Sequence, residues 1–198
     1  MNLEEHQRDA LREIVNIGVG KGAALLAEMM GLSVKLNVPE IDILSFSEVP
    51  KYFNTIHDDE VFSVSLNFQG KYKGLSQIIF PKKSGKKLAK IISGDTSDSN
   101  NHALVIEILN EVGNIVLNGV MGSFANILKT PLNYDTPSSF EGEINQLSKI
   151  LTTNWSFDKA LICKANFDIS SDERVTGDII ILSDRIIETV EGFLSQST

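Results

Sequence analysis

Two stretches of this chain are versions of one another. Residues 11–22 read LREIVNIGVGKG and residues 109–122 read LNEVGNIVLNGVMG. Placing Glu13 on Glu111 also places Asn16 on Asn114, Ile17 on Ile115 and Pro39 on Pro137, all at an offset of 98. Further on, VFSVSLNFQ (61–69) resembles ALICKANFD (160–168). GLSQIIFPKKSGKKLAKIIS (74–93) resembles GDIIILSDRIIETVEGFLS (177–195), with small gaps in the loops. Such a repeat constrains architecture before any local reading, because both copies must fold alike. Each copy, about 1–95 and 100–198, would bury little apolar surface alone. The connector SGDTSDSNN (93–101) is short and turn-rich. The expectation is one pseudo-symmetric domain over residues 1–198.

The elements of one copy are readable from periodicity. A long helix is expected over about 3–30, with Gly31 just past its end. SVKLNV (33–38) and IDILSFSEV (41–49) alternate like strands. VFSVSLNF (61–68) sets Val61, Ser63 and Ser65 against Phe62, Val64, Leu66 and Phe68, and GLSQIIF (74–80) pairs with it across QGKYKG. A helix follows from near Ser84 to Ile92. The second copy repeats the order, with a helix over about 102–128, strands near 131–135, 159–167 and 176–182, and a helix over about 184–194. The fold class is α+β: two pseudo-symmetric α-β-β-β-α halves share one largely antiparallel sheet, with the long helices packed on it.

Several function classes are disfavoured. A formal charge of −8 argues against nucleic acid, which selects a basic footprint. The single cysteine, Cys163, has no internal disulfide partner, so a reducing cytoplasm is the expected setting. The N-terminus MNLEEHQRDALRE has no apolar core of a signal peptide. No apolar run approaches the ~18 residues of a membrane span, so no membrane insertion is expected. His6, His57 and His102 are far apart, without the spacing of a zinc site, and there is no nucleophile-elbow motif.

The first helix holds a puzzle. LREIVNIGVGKGAALLAEMMG (11–31) carries Asn16 and Gly18, Gly20 and Gly22 inside its apolar pattern. Each interior glycine costs about 1 kcal/mol relative to alanine, and asparagine competes for backbone hydrogen bonds. Glu13 and Asn16 are three residues apart, hence on one helix face, roughly 5–6 Å between Cβ atoms. Glu111 and Asn114 repeat this. Glu107 and Asn110 also match, but only Glu13/Asn16 and Glu111/Asn114 have a proline 23 residues beyond the asparagine. A single such pair would be read as a solvated helix face. Two copies of the pair at matching repeat positions, with glycines nearby in both halves, point to use. Gly18, Gly20, Gly113, Gly119 and Gly122 suit either a docking surface or close packing of the two long helices.

These residues resemble the CheC/CheX/FliY phosphatases of bacterial chemotaxis. The family pattern is Asp or Ser, Glu four residues later, Asn three beyond that, and Pro 23 further on. Asp9, Glu13, Asn16 and Pro39 match it; so do Glu111, Asn114 and Pro137, with Glu107 in the leading position where the family has Asp or Ser. Gly or Ala is usual where this chain has Val15, and Asn where it has Lys21. The resemblance covers essentially the whole chain, and two complete motifs make it most like CheC. It implies action on a phosphorylated CheY-like receiver domain, which brings its own Mg²⁺; the chain itself needs no cofactor or metal. It implies that Asn16 and Asn114 each orient the attacking water, and that Glu13 and Glu111 each pair with the receiver's active-site lysine. An amide can donate to and accept from a water, a carboxylate suits a lysine, and phosphoryl transfer is mostly positioning and electrostatics. Pro39 and Pro137 are read as shaping the chain near each pair. The other class is a non-catalytic binding module: an adaptor for CheD, a deamidase partner of the family, or a relative of flagellar-switch domains.

Other features have plainer readings. The lysines of PKKSGKKLAK (81–90) fit a solvated helix start, since the second copy lacks them and no P-loop pattern is present. GVGKG (18–22) lies in a helix pattern and follows no strand, so it is no dinucleotide loop. Cys163 and Trp155 read as core or anchoring residues.

Overall fold

The computed structural model of the chain describes residues 5–56, 59–94, 101–169, 173–183 and 185–195. His57, residues 3–4 and most of the 93–101 connector lie outside them. The first copy runs α1 (Glu5–Met30), β1 (Val34–Ser45), α2 (Val49–Phe53), β2 (Glu60–Gly70), β3 (Gly74–Pro81) and α3 (Lys82–Ser93). The second runs α4 (His102–Ile127), β4 (Leu132–Tyr134), β5 (Ser138–Glu143), α5 (Ile144–Asn154), β6 (Lys159–Ile169), β7 (Glu173–Ser183) and α6 (Ile186–Ser195).

All seven strands join one antiparallel sheet in the order β1-β6-β7-β3-β2-β4, with β5 also on β2. The copies are interlocked. The first strand of copy one, β1, pairs with β6 of copy two, while β4 and β5 of copy two pair with β2 of copy one. The two central hairpins meet where β3 pairs with β7. Each half thus completes the other's sheet edge, the physical counterpart of a copy too small to bury its own core.

Both sheet faces are covered. The larger core joins α1, α4, α3 and α6 to one face, through residues such as Leu11, Val15, Leu88, Val116, Phe124, Ile179 and Val190. The smaller core sets Val49 and Phe53 of α2 and Ile144, Leu147 and Leu151 of α5 against Val61, Leu75, Ile79, Ile162, Ile180 and Leu182. The helix α2/α5 layer is absent from the α-β-β-β-α expectation. Residues 41–49 do not form a separate strand: β1 runs on to Ser45, and Glu48 Oε2 then accepts from the Ser45 backbone N–H (2.9 Å) and hydroxyl (2.6 Å). This Ser-x-x-Glu box caps a 3-10 turn, Phe46–Glu48, that leads into the short helix, with Pro50 in its first turn. In copy two the expected strand over 131–135 is β4, and a further strand outside the expected set, β5, follows beyond Pro137. The Ser63 side of β2 is covered as well. Ser63 is buried, and Gln77 Nε2 donates to the Ser63 and Ser65 hydroxyls at 3.2 and 2.8 Å.

By length and composition α4 is apolar enough to cross a membrane, although charged and amide residues interrupt its apolar runs. In this fold half of that window is buried, against α1, α3 and the sheet. The lysine run opens α3: Lys83, Lys86 and Lys87 lie along its start, and Lys82 pairs with Glu60 at 2.8 Å and Glu141 at 3.7 Å. GVGKG lies inside α1. Cys163 is fully buried in β6, where burial pushes its thiol pKa up. Trp155 stacks on Phe157, which meets Phe46 edge-on.

Candidate functional site

Glycines set how α1 and α4 meet. A Cβ built on Gly18 would stand 2.5 Å from Val120 Cα and 2.7 Å from the Gly119 carbonyl oxygen. One on Gly119 would stand 2.5 Å from the Gly18 carbonyl oxygen, and one on Gly22 3.3 Å from Val116 Cα. The helices therefore run antiparallel with their backbones in contact, a separation only glycine permits. Gly113 admits the Val64 side chain in the same way. Close packing accounts for these four positions. A methyl group on Gly20 or Gly122 would meet nothing within 4 Å, so these two glycines take no part in it.

The polar pairs stand off this contact. Glu13 and Glu111 are exposed, and neither forms a hydrogen bond or ion pair among the described residues. Asn16 and Asn114 are half-buried beside them. Extending the Gly18–Val120 and Gly22–Val116 pairing puts Asn114 level with Ala24, eight residues from Asn16, about 12 Å along the helix axes. Asp9 is exposed and bound to Arg12 at 2.8 Å. Its counterpart Glu107 is exposed with no partner among the described residues.

The two amides are held differently. Asn16 Nδ2 donates to the Val38 carbonyl at 3.1 Å, and the Val38 N–H donates to Asn16 Oδ1 at 2.8 Å. These backbone groups are available because β1 bulges there. Asn37 faces Asn166 and Glu40 faces Lys164, so Val38 and Pro39 together oppose one residue of β6. Pro39 has no N–H to give the ladder, and Asn16 closes the gap. That explains the 23-residue spacing in copy one: the proline forms the bulge and the asparagine satisfies it. After this clasp Asn16 retains one N–H and one oxygen lone pair. In copy two Asn114 makes no such bond to the chain around Pro137. Its Oδ1 accepts instead from Asn118 Nδ2 at 2.7 Å.

Three features escaped the sequence reading. The first is Asn118. The second is an exposed apolar ridge on α1 that runs from Ile17, next to Asn16, to Leu25 and Met29 about 12 and 18 Å further along the helix; these three are 46%, 46% and 55% exposed. The counterparts of the first two, Ile115 and Ser123, are buried, so α4 has no equivalent ridge. The signal was there, since these three fall off the face marked by Leu11, Val15, Val19 and Leu26. The third is on the opposite face of the sheet. A cleft of about 770 Å³ is lined by Pro39, Glu40, Tyr52, Lys164 and Asp178 among others. The Tyr52 hydroxyl donates to Asp178 Oδ1 at 2.6 Å. Burial raises the Asp178 carboxyl pKa, partly offset by this hydrogen bond, and burial together with Asp178 pushes the Tyr52 hydroxyl up. No local pattern joins residues 126 positions apart.

The fold and site define a class: a two-copy α+β protein that displays Glu/Asn pairs on the flanks of two antiparallel, glycine-packed helices. No family model matches the chain. It is 28% identical over 139 residues to the CheY-P phosphatase CheC of Bacillus subtilis, a match covering 68% of this chain and 66% of that protein. It is 18% identical over 184 residues to the flagellar motor switch phosphatase FliY of the same organism, covering 91% of this chain and 47% of that one. The matches thus span less than two thirds of either relative's length. The crystal structure of Thermotoga maritima FliY superposes with a TM-score of 0.74 at 16% identity, covering the whole of both chains, and shares the fold. With both motif copies in place, the chain is similar in sequence to members of the CheC/CheX/FliY family and shares the fold of a solved one.

Proposed function

We propose that this protein accelerates hydrolysis of the aspartyl phosphate on a CheY-like receiver domain. The observation that carries the reading is two exposed carboxylates, Glu13 and Glu111, without partners among the described residues and each one helical turn from an amide that is held in place. Such a carboxylate is available to the receiver's lysine, and a charge-assisted contact there fixes the pose. The neighbouring amide then enters the receiver's acidic site. Asn16 and Asn114 each keep hydrogen-bonding capacity for a water, one end to donate and one to accept. An amide is no general base near neutral pH; its contribution is to place the water in line with the phosphorus, where positioning accounts for most of the rate. The receiver supplies the Mg²⁺ and the phosphoryl group. The CheY-P phosphatase activity of the Bacillus subtilis relative supports the reading.

The test is the decay of phosphorylated receiver with Mg²⁺, with and without the protein. Wild type is compared with Asn16→Ala, Asn114→Ala, the double variant, and Glu13→Gln with Glu111→Gln. Acceleration that survives each single asparagine change and disappears in the double supports two working pairs. The glutamate changes are expected to raise KM more than they lower kcat. Measurable binding without acceleration for any cognate receiver would refute the phosphatase reading and favour the adaptor, with CheD the partner to assay next.

A further inference from the structure

We infer that Asn118 is a positioning residue for Asn114, and that the two pairs orient their amides by different devices. The inference rests on the phosphatase reading of these pairs. A water-holding amide has to present one fixed edge, yet an asparagine side chain on a helix can turn over about its last bond. In copy one the Val38 peptide removes that freedom by bonding both ends of Asn16. In copy two the chain around Pro137 offers no such peptide. Asn118, one turn on from Asn114 and half-buried, donates to Asn114 Oδ1 at 2.7 Å and to the Asn114 carbonyl at 2.8 Å. The second of these is an ordinary side-chain bond to the preceding turn. The first is not, and it sets the amide: Oδ1 turns toward Asn118, and both N–H groups of Nδ2 are left without a partner among the described residues. The position equivalent to Asn118 in copy one is Gly20, which has no side chain to do this. Asparagine is a poor choice for a helix interior, so its presence at 118, where copy one has glycine, matches the missing peptide clasp.

The test uses the full-length protein in two assays. In the first, Asn118→Ala and Asn118→Asp are placed in an Asn16→Ala background, so that only the second pair contributes, and kcat and KM are measured on phosphorylated receiver with Mg²⁺. Aspartate matches asparagine in size but replaces the donor with an acceptor. Both changes are expected to lower kcat about tenfold, the scale of one hydrogen bond, with KM within twofold. In the second assay, Asn118→Ala is made alone and the Asn114 side-chain amide is followed by nitrogen-15 relaxation. Its order parameter is expected to fall while the α4 backbone is unchanged. An unaltered kcat, or an Asn114 amide as rigid as in wild type, would overturn the inference. If the Asn16→Ala background does not fold, or the unsubstituted protein does not accelerate decay, the relaxation assay still decides whether Asn118 holds Asn114. Failure of acceleration in wild type refutes the phosphatase reading separately.

Discussion

Gly18 and Gly20 stand two residues apart in α1, and the same change to alanine is expected to act with opposite sign. At Gly20 the added methyl meets nothing within 4 Å. The substitution gains helix propensity and restricts the unfolded chain, together worth up to about 1 kcal/mol of stability. At Gly18 the same gain is available, but the methyl would lie 2.5 Å from Val120 Cα and 2.7 Å from the Gly119 carbonyl. Both obstacles are backbone, which cannot rotate aside. Ordinary contact begins near 3.4 Å, so α1 and α4 would have to part by about 1 Å along a contact that carries Val15, Val19, Val116 and Val120. Overpacking of this kind costs about 1–3 kcal/mol. Because the propensity gain is common to both variants, Gly18→Ala should be less stable than Gly20→Ala by that amount. For a chain of this size each kcal/mol moves the melting temperature about 2–4 °C. Thermal scans and urea titrations on the two variants and wild type measure it, with an unchanged urea slope confirming a common unfolding transition. A Gly18→Ala protein as stable as Gly20→Ala would refute the argument that these glycines exist for helix contact.

Two further predictions concern half-buried polar groups. Asn16→Ala should cost about 1–2 kcal/mol more than Asn114→Ala in urea denaturation, because it strips two bonds from the Val38 peptide while the second removes a side chain bonded only to Asn118; equal losses would mean the clasp contributes nothing. Asp178→Asn should raise the melting temperature at pH 7. The folded carboxyl pKa lies above its ordinary 3.8, so the folded state disfavours the charge. The stability of the aspartate protein is full below that ordinary value and falls as pH rises through the folded one. The difference between variants should therefore shrink on acidification toward about pH 4 and below, measured as paired melting curves; a difference independent of pH would show that desolvation of Asp178 is not its origin.

Much of the molecule could be read from one sequence. The repeat, the two long helices, the hairpins β2–β3 and β6–β7 and the Glu/Asn pairs are all local or periodic signals, and a helix places residues three apart on one face whatever surrounds it. The exposure of Glu13 and Glu111 followed from the same periodicity. The helices α2 and α5 were less legible. α2 is five residues long and follows a capping turn inside an alternating pattern, and α5 opens at Ile144 directly on the end of β5, with no intervening loop to mark its start.

Tertiary structure decided the rest. Which strand lies beside which was settled by the exchange of β1 against β6 and of β4 and β5 against β2, and no single copy contains that information. The same holds for the glycines: Gly18 and Gly20 look alike in the sequence, yet one touches a backbone far along the chain, at Gly119 and Val120, and the other touches nothing. The two asparagines carry the plainest case. Their spacing to glutamate and proline is identical, but Asn16 is bound by a bulged strand and Asn114 by a side chain of its own helix. A hydrogen bond depends on the group that lies opposite in space, and for Asn16 that group is placed by the pairing of β1 with the other half of the molecule.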